Sequence, residues 1–440
     1  MFPDLSYRGI LHLMVILLLV VFIIGYTAIT LENKLSINKA ATALITGVVC
    51  WTIYIAWSPD KQVVEEQLTL HLGGLSGILF FLLSAMTIVE LIDAHDGFNI
   101  ITDRINQTSQ RKLIWIIAFI TFFLSALLDN LTTTIVMVSL IRKLITEKRQ
   151  RLYFAGLVII AANAGGAWSP IGDVTTTMLW IGGQITSVNL ITNLILPSVV
   201  CLLIPLVILS TRIKGDIIRP EIENNAFRNV ALPLHQQKIV FCSGMLILVL
   251  VPVFRTVTHL PPYMGILIGL GVLWVITEIM HGKKAEPERQ QLSVSQALQK
   301  VDSPTILFFL GILLSVTALQ SSGILATLAE WVNNKIESEH ILALSFGILS
   351  SVVDNVPLVA AGQGMYSLEQ YPTDHSFWIF LAYTTGTGGS ALIIGSAAGV
   401  AAMGMEKIDF FWYLKKMTLI ALAGYFAGAL IYILQYQLFH

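Results

Sequence analysis

Charged residues are scarce in this chain. Asp, Glu, Lys and Arg make up 12% of its 440 residues, against about 25% in an ordinary soluble protein. So few charges cannot cover a soluble body of that size. Neither sign dominates, with 26 Lys and Arg against 27 Asp and Glu, so no basic face offers itself to nucleic acid. Cysteine is nearly missing. Cys50, Cys201 and Cys242 all lie in apolar runs, an odd number that argues against a disulfide framework and reads as small core residues. His and Cys nowhere cluster with zinc-like spacing, which excludes a transition-metal centre. Apolar residues, in contrast, make up 55% of the chain, and the mean hydropathy is +0.77. That excludes disorder. Apolar runs of about 20 residues recur along the whole length and mark an all-α polytopic membrane protein. The first run lacks a small-residue cleavage site and is too long for a signal segment, so it reads as a span.

Ten runs read as full spans: 10–30, 38–57, 74–92, 152–183, 188–210, 238–254, 262–281, 304–320, 376–404 and 411–438. Those at 152–183 and 376–404 are long and broken by polar, Gly-rich stretches. Two more segments, 113–144 and 341–366, are apolar except for a central Asp129-Asn130 and Asp354-Asn355. As one helix, 113–144 would run about 48 Å, too long for a single crossing. Both segments read as re-entrant helical hairpins with the Asp-Asn pair at the tip. Flanking charge orients them. Arg104, Arg111 and Lys112 precede the first hairpin, and Arg142, Lys143, Lys148, Arg149 and Arg151 follow it, which puts both its ends in the cytoplasm. Glu337, Glu339, Glu369 and Asp374, against Lys335 alone, put the ends of the second outside. The loop 211–237, with Arg212, Lys214, Arg219 and Arg228, falls inside. So do 282–303, with Lys283, Lys284, Arg289 and Lys300, and 405–416, with Lys407, Lys415 and Lys416. The loop 58–72, with Asp60, Glu65 and Glu66, falls outside, and so do both termini.

The chain repeats itself. Leu124-Ser125-Ala126-Leu127-Leu128-Asp129-Asn130 is echoed by Leu349-Ser350-Ser351-Val352-Val353-Asp354-Asn355, 225 positions on. Ile78-Leu79-Phe80-Phe81-Leu82 returns as Ile306-Leu307-Phe308-Phe309-Leu310. Gly165-Gly166 with Gly172 matches Gly388-Gly389 with Gly395. The first repeat is 1–237 and the second 238–440, each with a hairpin and a Gly-broken span. Because the hairpins enter from opposite sides, the repeats are inverted. This is the plan of a secondary transporter, not an enzyme, with its site at the repeat interface near mid-membrane.

An acid inside the bilayer is costly and marks function. Asp129 and Asp354 lie half-way through their hairpins. Asp173 follows Asn163-Ala-Gly-Gly-Ala-Trp-Ser-Pro-Ile-Gly, where Gly165, Gly166, Pro170 and Gly172 break the helix and free its carbonyls. Thr175, Thr176 and Thr177 add hydroxyls. The second half supplies Thr384, Thr385, Thr387 and Ser390 around Gly386, Gly388 and Gly389, but Ser396 stands where Asp173 would be. Carboxylate, amide, hydroxyl and carbonyl oxygens suit a hard monovalent cation, while three converging acids repel an anion. A carboxylate so placed holds either a proton or a cation, and competition for it gives exchange without covalent chemistry. The same Asp residues also fit as N-caps of the helices they precede, a role compatible with this one. Glu90, late in its span, reads either as a proton-path residue or as a snorkelling surface acid. His12, His71 and His95 read as interfacial, Glu278 as a surface residue and Trp168 as a cavity wall. An intramembrane aspartyl protease built on Asp129 and Asp173 is disfavoured, because its G-x-G-D motif lacks the first Gly at Pro170-Ile171-Gly172-Asp173. A channel is a third reading, separated from a carrier by saturable, proton-coupled flux.

Four stretches resemble the NhaD-type sodium/proton antiporters of the ion transporter superfamily. They are Ala85-Met86-Thr87-Ile88-Val89-Glu90-Leu91-Ile92-Asp93-Ala94-His95, Ser125 to Thr133, Asn163 to Thr176, and Val353-Asp354-Asn355-Val356-Pro357. The resemblance covers about 70–438. It implies exchange of Na⁺ or Li⁺ for H⁺ across a bacterial inner membrane, no cofactor, and a homodimer with elevator-like motion. It implies that Asp129, Asn130, Asn163, Asp173, Thr175, Thr176, Asp354 and Asn355 matter for transport. From the residues themselves, Na⁺ is expected at Asp129, Asp354 and Asn163, with Thr385, Thr387 and Ser390 as cavity hydroxyls. Arsenite or carboxylate transport, known elsewhere in the superfamily, is the alternative. Dicarboxylate members carry Ser-Asn-Thr at the hairpin tips, where this chain has Leu-Asp-Asn-Leu and Val-Asp-Asn-Val, a departure that favours a cation.

Overall fold

The computed structural model describes residues 4–30, 32–102, 105, 107–213, 215–217, 232–282 and 284–439. Of the charges used to orient the spans, Arg104, Lys214, Arg219, Arg228 and Lys283 lie outside the described residues. Every extended element among the described residues is a helix, and the one pairing of extended backbone is an isolated bridge between Ser109 and Asp216. Nine of these helices are long and apolar enough to cross a membrane. Eight coincide with expected spans, and the ninth, Gln110–Leu128, is the leading arm of the first hairpin. Large apolar residues such as Leu246, Val253, Val257, Ile268 and Ile279 are exposed on Leu234–Thr258 and Pro262–His281, as lipid-facing helices require.

The two expected broken spans are indeed broken. The first splits into Lys148–Ala167 and Val174–Ile181, and the second into Ser376–Gly388 and Ala397–Glu406. The hairpins also divide at their Asp-Asn pairs, the first into Gln110–Leu128 and Asn130–Leu144, the second into Glu339–Leu349 and Asn355–Met365. Gln110 and Glu147 border one cavity with Arg149, Tyr153 and Arg212, so the first hairpin returns to the side from which it entered.

Two boundaries differ from the sequence reading. The loop expected at 58–72 is helical from Lys61, continuous through to Ala94. Asp60 Oδ1 caps it by accepting from the backbone N–H of Gln62 and Val63, and Gln62, Glu65, Glu66, Gln67 and Leu68 are good helix formers that need no membrane. The last span starts at Thr418, after a separate helix Phe410–Lys416 whose cap is Asp409, accepting from Trp412 N–H at 2.8 Å.

The chain forms two compact units, and each draws on both sequence halves. The first comprises residues 1–82, 302–339 and 356–372. In it Lys39–Trp57 packs along Ser303–Ser321. A Cβ on Gly311 would overlap the backbone of Ala43, so only glycine permits this approach. Trp51 Nε1 donates to Leu314 O at 2.9 Å, and His71 Nε2 lies 3.0 Å from Ser321 Oγ.

The second unit comprises residues 83–301, 340–355 and 373–440. It contains the first hairpin, both broken helices and the Asp354-Asn355 tip. Its packing repeats at the atomic level. Ser125 Oγ donates to Ala162 O at 2.6 Å and Ser350 Oγ to Thr385 O at 2.8 Å. A Cβ on Gly165 would overlap the Phe122 backbone, and one on Gly388 the Gly347 backbone. Gly166 faces Gly172 as Gly389 faces Gly395. Cys50 and Cys201 are buried, but Cys242 is exposed on the lipid-facing Leu234–Thr258 helix and is no core residue. His95 is not interfacial either. It is fully buried, with Nδ1 2.7 Å from Leu91 O and Nε2 2.8 Å from Nε2 of His281. The carbonyl can only accept, so His95 holds its proton on Nδ1 and accepts from His281 at Nε2.

Candidate functional site

Each helix break exposes a helix end, and at three of the four a short polar side chain caps the end that follows. Asp129, at φ 93°, begins Asn130–Leu144. Its Oδ1 accepts from Thr132 N–H and its Oδ2 from Thr132 Oγ1, both at 2.8 Å. Asp173 caps Val174–Ile181, accepting at Oδ1 from Thr175 N–H at 2.9 Å and Thr175 Oγ1 at 2.7 Å. Ser396 caps Ala397–Glu406. Asp354 occupies the position before Asn355–Met365. Helix starts carry partial positive charge, which favours carboxylates at these places.

Asp173 is the hub. It is buried, and the amides of both hairpin tips converge on it. Asn130 Nδ2 donates to Asp173 Oδ2 at 2.6 Å. Asn355 Nδ2 lies 3.2 Å from Oδ1 and 3.4 Å from Oδ2. Asn163 extends the network. Its Oδ1 accepts from Asn130 at 3.1 Å, and its Nδ2 donates to Ser390 Oγ and Ser396 Oγ, both at 2.9 Å. Residues from both sequence halves thus share one hydrogen-bonded chain inside the second unit. Asp129 and Asp354 each lie close enough to Asp173 for like charges to interact.

Of the expected site residues, Asn130, Asn163, Asp173, Thr175, Asn355 and Ser390 meet directly. Asp129 borders the cluster while bonded to its own helix. Thr176 Oγ1 donates to Asp173 O at 2.8 Å. Thr385 and Thr387 turn back onto Leu381 O and Tyr383 O of their own helix. Glu90 is half-buried, and its charged neighbours are Asp93 and Lys300. Trp168 stacks on Phe122, with centroids 5.9 Å apart.

The sequence reading noticed Ser396 but did not count it among the site residues, and its offset from Asp173 is the signal that finds it. It missed Glu406 altogether. This side chain is buried between Arg142 Nε at 2.6 Å and Arg151 Nε at 3.0 Å, and it ties the first hairpin to the second broken helix.

Comparison with known proteins identifies the family. A family model described as citrate transporter, CitMHS, matches residues 13–371. Sodium/proton antiporter 1 of Arabidopsis thaliana is 49% identical over 419 residues, covering 95% of this chain and 72% of that protein. Sodium/proton antiporter 2 of the same plant is 45% identical, covering 94% and 97%. The Na⁺/H⁺ antiporter NhaD of Alkalimonas amylolytica is 30% identical, covering 96% and 90%. Matched over most of its length by the family model and over nearly all of it by such relatives, this chain belongs to the citrate-transporter family and, within it, to the NhaD-type antiporters.

Proposed function

We propose that this protein is a secondary transporter that exchanges Na⁺ for H⁺ through competition at the Asp173 cluster. The observation that carries the reading is the buried Asp173 carboxylate, held by amides from both hairpin tips and flanked by Asp129 and Asp354. These groups supply negative charge and neutral oxygens together. A dehydrating Na⁺ needs such oxygens, and a proton on a carboxylate relieves the like-charge repulsion in its place. Loading with one therefore releases the other. Li⁺ has the same ligand preference and is taken as a second cargo. Na⁺ is assigned to Asp129, Asp354 and Asn163 together with Asp173.

The repeats are assigned opposite orientations and the termini to the outside, in keeping with loop charge. The hairpins and broken helices are taken to move as an elevator within a homodimer. The bacterial inner-membrane location follows from the NhaD resemblance, and the Arabidopsis relatives extend the family to plants. Carboxylate transport is the second reading, favoured by the description of the matching family and opposed by the three neighbouring acids.

Everted vesicles holding a preformed pH gradient decide between them. Na⁺ or Li⁺ added to the bath is expected to dissipate the gradient, read as recovery of a pH-dye signal, and citrate, succinate and arsenite are not. Recovery with citrate alone removes the cation reading.

A further inference from the structure

Buried threonines in the helices of this protein usually turn their hydroxyls back onto the carbonyl three or four residues earlier. Thr87 does so to Leu83 O at 2.6 Å, Thr121 to Ile117 O at 2.6 Å and Thr385 to Leu381 O at 2.7 Å. Thr133 and Thr134 break this habit. Both are fully buried, and the Oγ1 of each has no hydrogen-bond partner. An orphaned buried hydroxyl forfeits the hydrogen bonds it would make to water, and two in succession call for an explanation.

Their position supplies one. They sit three and four residues after Asn130 in Asn130–Leu144, so they lie on the face from which Asn130 reaches Asp173. That helix packs against Lys148–Ala167 and Ala397–Glu406, which carry Asn163 and the Ser396 cap. Around Asp173 the other oxygens are engaged: both of Asp173, both of Asp129 and Oδ1 of Asn163. The Thr133 and Thr134 hydroxyl oxygens are buried beside this network with no bond to be broken. In the second half the matching positions are Leu358 and Val359, so the feature belongs to the first hairpin alone.

We propose that the Thr133 and Thr134 hydroxyls form a second oxygen step for the transported alkali cation, one helical turn beyond Asn130, where it exchanges water for protein ligands. This rests on the antiporter reading and adds two ligands to it. Val matches Thr in shape without the hydroxyl, and Ser keeps the hydroxyl without the methyl. The double variant T133V/T134V is expected to raise the Na⁺ concentration for half-maximal proton movement roughly tenfold. Its melting temperature in choline chloride should hold or rise, because the orphaned groups are gone. T133S/T134S should stay within about twofold of the parent. The rise in melting temperature caused by NaCl should shrink in the Val variant and persist in the Ser variant. Parental half-saturation in T133V/T134V, or equal impairment in T133S/T134S, overturns the proposal. If the parent moves no protons with Na⁺, the antiporter reading fails, and the NaCl-induced melting shift still decides whether the threonines bind the ion.

Discussion

Asp173 is a negative charge stabilised by neutral donors: no ion pair reaches it among the described residues, and Thr175, Asn130 and Asn355 surround its oxygens. Such donors keep the charged form bearable away from water and still leave it open to a cation. Asp173→Asn keeps the volume and removes the charge, so Na⁺-driven proton movement should fall to the level of vesicles lacking the protein, while the variant elutes as a folded species on size exclusion. Parental activity in this variant would exclude Asp173 from exchange. The acids were legible in the sequence because a carboxylate in an apolar run has few structural excuses. Glu406 was not. It sits beside Lys407 where a span ends, and its partners Arg142 and Arg151 are 264 and 255 positions away, a pairing that only the fold creates. The orphaned state of Thr133 and Thr134 was hidden too, since identical residues elsewhere bond to their own helices.

Hairpins and broken helices meet through glycine. Their existence and breakpoints were visible as Asp-Asn pairs and Gly clusters interrupting apolar runs. That helix continues below Leu72 to Lys61 was not legible, because polar residues of good helix propensity resemble a loop when hydropathy alone is considered. Gly388→Ala would drive a Cβ into the Gly347 carbonyl. Backbone cannot yield as a side-chain tip does, so a loss of about 1–3 kcal/mol or more is expected, measured as a lower melting temperature in detergent. Gly404→Ala, where nothing lies within 4 Å, is the control. It should be neutral or stabilising by up to about 1 kcal/mol, because Ala suits a helix interior better than Gly.

The motifs that recur along the sequence are not parcelled out one set to each compact unit, since each unit takes segments from both sequence halves. The duplicated motifs were legible at long range; the partition was not, because it depends on which helices pack together. The repeated contacts are near-copies, yet one helix cap is Asp173 and its counterpart is Ser396. We expect Na⁺ half-saturation to differ between right-side-out and everted vesicles, and Ser396→Asp to narrow the gap. A carrier with one charged gatepost and one neutral gatepost is a lopsided turnstile. It lets the grip on the passenger differ between the two thresholds, while the ion gradients alone set the direction of net travel.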